Sequence, residues 1–177
     1  LDLETQWLLE RIIAGYVERR RDQGIKNAGA MLVDFTTMEV RAAVGSADYF
    51  DESIQGQVSA LSARRSPGSA LKPFVYALAF EQGLIHPETV LQDAPAAFGA
   101  YNPENFDAEF AGPVSAREAL IKSRNVPAVG LSSRLSPPGL YGLLKSAWVV
   151  LPKAAEHYGL GLALGGGETS LEDLARL

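Results

Sequence analysis

Apolar residues recur every three to four positions at the start of the chain: Leu8, Leu9, Ile12, Ile13, Tyr16 and Val17, with Glu4, Gln6, Glu10, Arg11 and Glu18 around them. That spacing predicts an amphipathic helix over residues 3 to 17, stopped near Gly24. The period then changes. Ala30-Met31-Leu32-Val33-Asp34-Phe35 and Glu39-Val40-Arg41-Ala42-Ala43-Val44-Gly45 read as two strands joined by Thr36-Thr37-Met38, an antiparallel hairpin. Residues 46 to 68 are polar and poorly periodic, a long connection of the kind that tends to carry function inside a compact domain.

From Ser69 onward, Leu71, Phe74, Val75, Leu78 and Ala79 form an apolar stripe that runs to Gly83 and predicts a helix of about four turns. Pro73 fixes where it starts. Proline costs roughly 3 kcal/mol in a helix interior and is tolerated in the opening turn, so the helix begins close to Ser69. His86-Pro87, Ala94-Pro95, Asn102-Pro103 and Gly112-Pro113 mark residues 86 to 113 as an irregular excursion, in which Asn102 and Asn105 read as turn formers. Ser115-Ala116-Arg117-Glu118 fits a capping box opening a short helix towards Ser123. Helices over Val126 to Leu135 and Leu140 to Val150 follow, separated by Pro137-Pro138-Gly139. Gly165-Gly166-Gly167 lacks the arrangement of a phosphate loop and reads as a turn into a last helical segment before Leu177.

Composition narrows the chemistry. With 177 residues and 47% hydrophobic content the chain is of single-domain size and can bury a substantial core. A net charge of −5 argues against a nucleic-acid partner. The one basic cluster, Arg19-Arg20-Arg21, closes the first helix, where cations complement the helix dipole, and reads as a solvated face. Zero cysteines removes thiol catalysis, disulfides and thiolate metal sites. His86 and His157 read as ordinary surface or core histidines, so neither a metal site nor a cofactor site is expected. No stretch of about 18 apolar residues suggests a membrane span. The start at Leu1, without Met, suggests a fragment or a processed chain.

Ser69-Ala70-Leu71-Lys72 puts a hydroxyl three residues before an amine, on one face of the predicted helix. This suits acyl transfer by a serine that has no histidine to help it. The spacing alone is cheap: with 13 serines and 5 lysines in the chain, about 0.4 such pairs arise by chance. The flanks carry the case. Fifty-four residues on stands Ser123-Arg124-Asn125, followed by Val126-Pro127-Ala128-Val129.

Together these elements resemble the active-site set of the penicillin-binding proteins and serine β-lactamases, S-x-x-K, S-x-N and K-T-G. Val44-Gly45-Ser46, Arg65-Ser66-Pro67-Gly68-Ser69 and Lys72-Pro73-Phe74 are similar to the transpeptidase domain of bifunctional class A penicillin-binding proteins. Asp48-Tyr49-Phe50-Asp51 and Gly56-Gln57-Val58 resemble the type 1C branch. Tyr49-Phe50 itself reads as packing rather than a substrate platform.

The resemblance implies an α/β, incomplete β-lactamase/transpeptidase-like fold: an antiparallel sheet with flanking helices plus a mostly helical lobe. Residues 1 to 177 would be a partial transpeptidase domain whose C-terminal strands are absent. It implies Ser69 as nucleophile and Lys72 as base, with Ser123 relaying a proton to the leaving amine and Asn125 holding Lys72 and a substrate amide. The partners implied are peptidoglycan stem peptides, β-lactams as inhibitors and a preceding glycosyltransferase domain. The location implied is the extracytoplasmic, periplasmic face of a membrane, with an anchor elsewhere in the parent.

Three departures stand against the resemblance. Neither KTG nor KSG occurs, and truncation at Leu177 is the expected reason. Met38 stands where the family's hairpin usually has glycine, which puts the turn geometry in question. Arg124 stands where a smaller or apolar residue is commoner, which puts the fit of the cleft in question. The other readings are a non-catalytic module that binds cell-wall peptide or a protein partner, and a β-lactamase-type hydrolase.

Overall fold

The computed structural model describes all of residues 1–177, which form two compact units: Leu1–Arg65 with Thr169–Leu177, and Ser66–Glu168.

In the first unit, helix α1 (Leu3–Arg20) starts where the Asp2 carboxylate accepts the Thr5 N–H at 2.8 Å, satisfying one of the free amides of the first turn. It runs one turn past the predicted end, into a 3-10 turn (Arg21–Gln23) that Gly24 stops in the left-handed region. Only Ile13 and Val17 of its apolar stripe are buried; Trp7, Leu8, Ile12 and Tyr16 are exposed, so the stripe is wider than the surface that covers it. Arg20 and Arg21 lie on the exposed face, as expected, and contact Gln23, Tyr16 and Glu18.

Strands β1 (Ala30–Val33) and β2 (Val40–Val44) pair antiparallel from Ala30↔Val44 to Val33↔Val40, with an irregularity after Leu32. The Gln6 amide donates to the Ala43 carbonyl and accepts its N–H, at 3.0 and 2.8 Å, and so pairs the edge of β2. Met38 has φ +58°: the turn needs the left-handed conformation that glycine supplies without strain, and a methionine holds it. Tyr49 and Phe50 are 58% and 85% exposed and touch edge to face at 5.2 Å, so what packing they make with each other is at the surface. Helix α7 (Leu171–Arg176) carries a full capping box between Ser170 and Asp173.

In the second unit a 3-10 turn (Gly68–Leu71) leads into helix α2 (Lys72–Glu81). Ser69 therefore lies in the tighter turn rather than in the α-helix predicted from it. The reason is Pro73: it has no N–H for the Ser69 carbonyl, which accepts from Lys72 instead. The buried face of α2 is Lys72, Val75, Tyr76 and Ala79, an i, i+3, i+4, i+7 set that begins with a lysine. Phe74 and Leu78, assigned to the stripe from sequence, are half-buried beside it.

Residues 86 to 113 are more ordered than their prolines suggest. Strands β3 (Val90–Asp93) and β4 (Gly112–Ser115) pair antiparallel from Val90↔Ser115 to Asp93↔Gly112, and β3 turns Leu91 and Asp93 inward. Ser115 caps helix α3 (Ala116–Ile121) by accepting the Glu118 N–H at 3.2 Å, while the Glu118 carboxylate pairs with Lys122 at 2.5 Å. The box is thus half made. Helix α4 (Asn125–Ser132) buries Val126, Ala128, Val129 and Leu131 and packs against α2. Helix α5 (Gly139–Ser146) is shorter than predicted, and α6 (Ala155–Tyr158) is a single turn leading to a 3-10 segment (Gly159–Leu164).

Gly165 does more than connect helices. It has φ +88°, its carbonyl accepts the Ser66 hydroxyl at 2.7 Å, and a Cβ there would lie 2.3 Å from the Gly68 nitrogen. The turn that carries Ser69 is thus seated on a glycine that no side chain can replace. Gly165→Ala combines a left-handed backbone with a clash against main chain, and is expected to cost about 2 kcal/mol or more. Urea denaturation checks this; stability equal to wild type would mean the two turns are not in close contact.

Candidate active site

Ser123 owes its placement to how α3 ends. The Arg124 N–H donates to the Ala119 carbonyl at 2.9 Å and the Ser123 N–H to the Leu120 carbonyl at 3.0 Å, with Ser123 at φ +55°. This is the Schellman ending, in which the left-handed residue is usually glycine. Serine there costs about 1–2 kcal/mol of backbone strain. The turn presents the Ser123 carbonyl and hydroxyl together, and α4 begins two residues later with Asn125.

Lys72, in the first turn of α2, is 1% exposed. Its ammonium donates to the Ser123 hydroxyl at 3.0 Å, to the Asn125 Oδ1 at 2.6 Å and to the Ser123 carbonyl. Those are three acceptors for three donors, and none is a carboxylate. Asn125 is held the right way round because its Nδ2 donates to the Glu104 carbonyl at 2.7 Å, an acceptor only, which turns Oδ1 towards the amine.

Ser69 stands apart from this cluster. Its side chain is exposed in the turn before α2 and makes no hydrogen bond to Lys72, whose donors are taken. In the same turn the Gly68 N–H goes to the Ser66 hydroxyl at 3.3 Å and the Ala70 N–H to the Pro67 carbonyl at 3.1 Å. The Ser69 N–H between them is left for another acceptor. The structure thus brings together Lys72, Ser123 and Asn125, with Ser69 one turn before the amine.

A second cluster backs the first. Arg124 is buried: Nε donates to Asp93 Oδ2 at 2.6 Å, Nη1 to Asp107 Oδ2 at 2.7 Å and Nη2 to the Glu109 carbonyl. Asp93, wholly buried, also accepts from Asn105 Nδ2 at 2.7 Å and from the Ala111 N–H at 2.9 Å. Asn105 is therefore not merely a turn former. It is 5% exposed, and its Oδ1 accepts the Asn125 N–H at 2.8 Å. Arg124 is not a misfit in a cleft either, since its side chain lies in this acidic nest. Both were missed for one reason: the partners that fix them here are 12 to 31 residues away, and no local pattern marks them. His86 and His157 are both exposed, and three or more His, Asp or Glu side chains do not gather anywhere as metal ligands would.

Burial, and then the Arg124 charge, lower the Lys72 pKa from 10.5 to about 8. At pH 7 an ordinary lysine is neutral in about one molecule in 3,000, whereas at a pKa of about 8 it is neutral in about one in ten. Burial alone would raise the Asp93 carboxyl, but the Ala111 amide, Asn105 and Arg124 together hold it below its usual value. Burial and then the Asp93 charge push the Tyr76 phenol up.

The profile of the penicillin binding protein transpeptidase domain matches residues 28–150. Penicillin-binding protein 1C of Escherichia coli (strain K12) is 46% identical over 177 residues, which are 99% of this chain and 23% of that protein's length. Among solved structures, the TP domain of penicillin-binding protein 3 from Burkholderia pseudomallei aligns with a TM-score of 0.80 at 18% identity, over 98% of this chain and 54% of its own. The PonA1 protein from Mycobacterium tuberculosis in complex with penicillin V gives 0.78 at 20% identity, over 98% and 47%. At those identities the likeness is one of fold, and the α/β transpeptidase-like architecture expected from the sequence is the one found.

The lowered Lys72 pKa is also a statement about stability. Below pH 8 both folded and unfolded chains hold this proton, and the folded state bears the cost of a buried cation. Between pH 8 and 10.5 only the unfolded chain holds it, so stability rises with pH, by about 3 kcal/mol in all. Urea denaturation of wild type and Lys72→Met across this range isolates the contribution. Wild type is expected to gain on the variant as pH rises; a constant difference contradicts the assignment.

Proposed function

The chain belongs to the penicillin-binding protein transpeptidase family, and on that footing we propose that Ser69 is the acylated nucleophile of a peptidoglycan D,D-transpeptidase and Lys72 its base. The observation that carries the reading is the state of Lys72: a buried amine, unneutralised by any carboxylate and held by the side chains of the S-x-N element. A lysine kept only for stability would be paired or solvated.

The neutral Lys72 amine takes the Ser69 proton as Oγ attacks the carbonyl of the penultimate D-alanine of a stem peptide. For this it exchanges one of its bonds, and the Ser123 hydroxyl is the partner able to reverse its role from acceptor to donor. The carbonyl oxygen becomes an oxyanion, for which the unpartnered Ser69 N–H is one donor. Collapse breaks the peptide bond. The departing D-alanine amine recovers the proton from Lys72 by way of Ser123, leaving Ser69 acylated. An amine of a second stem peptide then attacks the ester, gives its proton back along the same route, and restores the Ser69 hydroxyl as the cross-link forms. A β-lactam opens on the same serine, its leaving nitrogen remaining tethered in the acyl-enzyme. Attack requires Ser69 and Lys72 to come into hydrogen-bond contact, a contact of the kind that tightens in a substrate complex.

These residues supply two of the family's three motif elements, and the reading requires the third, with its second oxyanion donor, from elsewhere in the full-length protein. It also assigns that protein to the extracytoplasmic face of the membrane, with a glycosyltransferase domain in the parent. No helix here is long and apolar enough to cross a membrane.

Labelled penicillin tests the assignment in the full-length protein. Wild type is expected to carry the label on Ser69 and Ser69→Ala to carry none, while Lys72→Ala lowers the acylation rate by about 10²–10⁴. Equal labelling of wild type and Ser69→Ala would sink it.

A further inference from the structure

Arg124 lies between Ser123 and Asn125 in the chain, yet the reading above gives it no part. Its surroundings are those of a built device. A residue at the exposed-looking bend between two helices is 9% exposed and forms ion pairs with two carboxylates, one of them fully buried. The bonds close a ring: Arg124 to Asp93, Asp93 to Asn105, and Asn105 to the backbone N–H of Asn125, the residue next to Arg124. The ring grips the chain on both sides of the peptide that joins Arg124 to Asn125. Immediately before it stands Ser123, at φ +55°, a conformation that serine does not hold unless its neighbours impose it.

We propose that Arg124 is a positioning residue for this site: anchored by Asp93 and Asp107, it holds the strained turn that presents Ser123 and Asn125 to Lys72, and its buried cation opposes a second cation there. The proposal rests on Lys72 acting as the base for Ser69. The geometry accounts for the choice of side chain, because only a guanidinium bonds through three nitrogens to Asp93, Asp107 and the Glu109 carbonyl at once. The charged and titratable groups on the stretches bonded to this site are Arg124 from the turn, Asp93 from β3, and Glu104 and Asp107 from the connection after it, with Tyr76 one turn on from Lys72 in α2. Of these, Arg124 is the one whose charge bears on the amine. A purely structural clamp would have no such effect.

The experiment reads the pH dependence of penicillin acylation at Ser69 in the full-length protein, for wild type, Arg124→Lys and Arg124→Gln. Wild type is expected to show a rise with a midpoint near pH 8. Arg124→Lys keeps the cation and loses the fork, so it lowers the plateau rate with the midpoint in place. Arg124→Gln loses both. Its plateau falls and its midpoint moves upward by about half a pH unit or more, so that the rate at pH 7 drops about threefold beyond the fall in plateau. Because a lone buried Asp93 can prevent folding, the double variant Arg124→Gln with Asp93→Asn removes the ion pair as a whole and is expected to show the same upward midpoint. A wild-type midpoint in Arg124→Gln and in the double variant overturns the proposal, as does an upward midpoint in Arg124→Lys equal to theirs. If wild type itself takes no label on Ser69, the functional reading fails; if wild type labels with a midpoint near pH 8 and the variants keep that midpoint, only the role of Arg124 fails.

Discussion

A lysine amine held out of water by three neutral acceptors is the interaction on which the rest of the site depends. Burial makes the charged form of Lys72 costly, and the absence of a carboxylate leaves that cost uncompensated by a counter-ion. The hydrogen bonds from Ser123 and Asn125 keep the amine in one place without neutralising it. Desolvation and geometry thus do for this lysine what a histidine would do through its intrinsic pKa. Each supporting feature follows from that need: a helix that begins with lysine on its core face, a strained serine turn, and an asparagine oriented by a backbone carbonyl.

The local signals in the sequence were sufficient for α1, the β1–β2 hairpin and helices α2 to α5, and for the pairing of motifs. Pro73 located the start of α2 within a few residues, and the i, i+3 spacing placed Ser69 and Lys72 one turn apart. What local signals could not show is that Lys72 faces inward. The apolar stripe assigned to α2 ran through Leu71, Phe74 and Leu78, and a lysine beside it reads as solvated. That face becomes interior through elements later in the chain, α4 foremost among them, some fifty positions on. Strand β3 was hidden for a similar reason. Its inward residues are Leu91 and Asp93, so the pattern that marks a half-buried strand is broken by a charge whose partners are Arg124 and Asn105.

The two departures from the family pattern that the structure reaches resolve in opposite ways. Met38 is a local misfit, a side chain in a left-handed turn that glycine would occupy at lower cost. Arg124 is compensated at long range, by carboxylates set against it from two other stretches of chain. Backbone strain at Ser123 belongs with the second kind, since the residues on either side of the strained position are tied to the rest of the unit. Gly165 adds a constraint of space, since the turn that bears Ser69 rests where a methyl group would not fit.

The central claim is that Lys72 is buried and gives up its proton far more readily than an ordinary lysine. Nuclear magnetic resonance of the lysine side-chain 13Cε and 15Nζ signals, assigned by Lys72→Arg, follows that one proton directly as pH is raised. The account predicts a midpoint near pH 8. A Lys72 midpoint above about pH 10, in the ordinary lysine range, would contradict it.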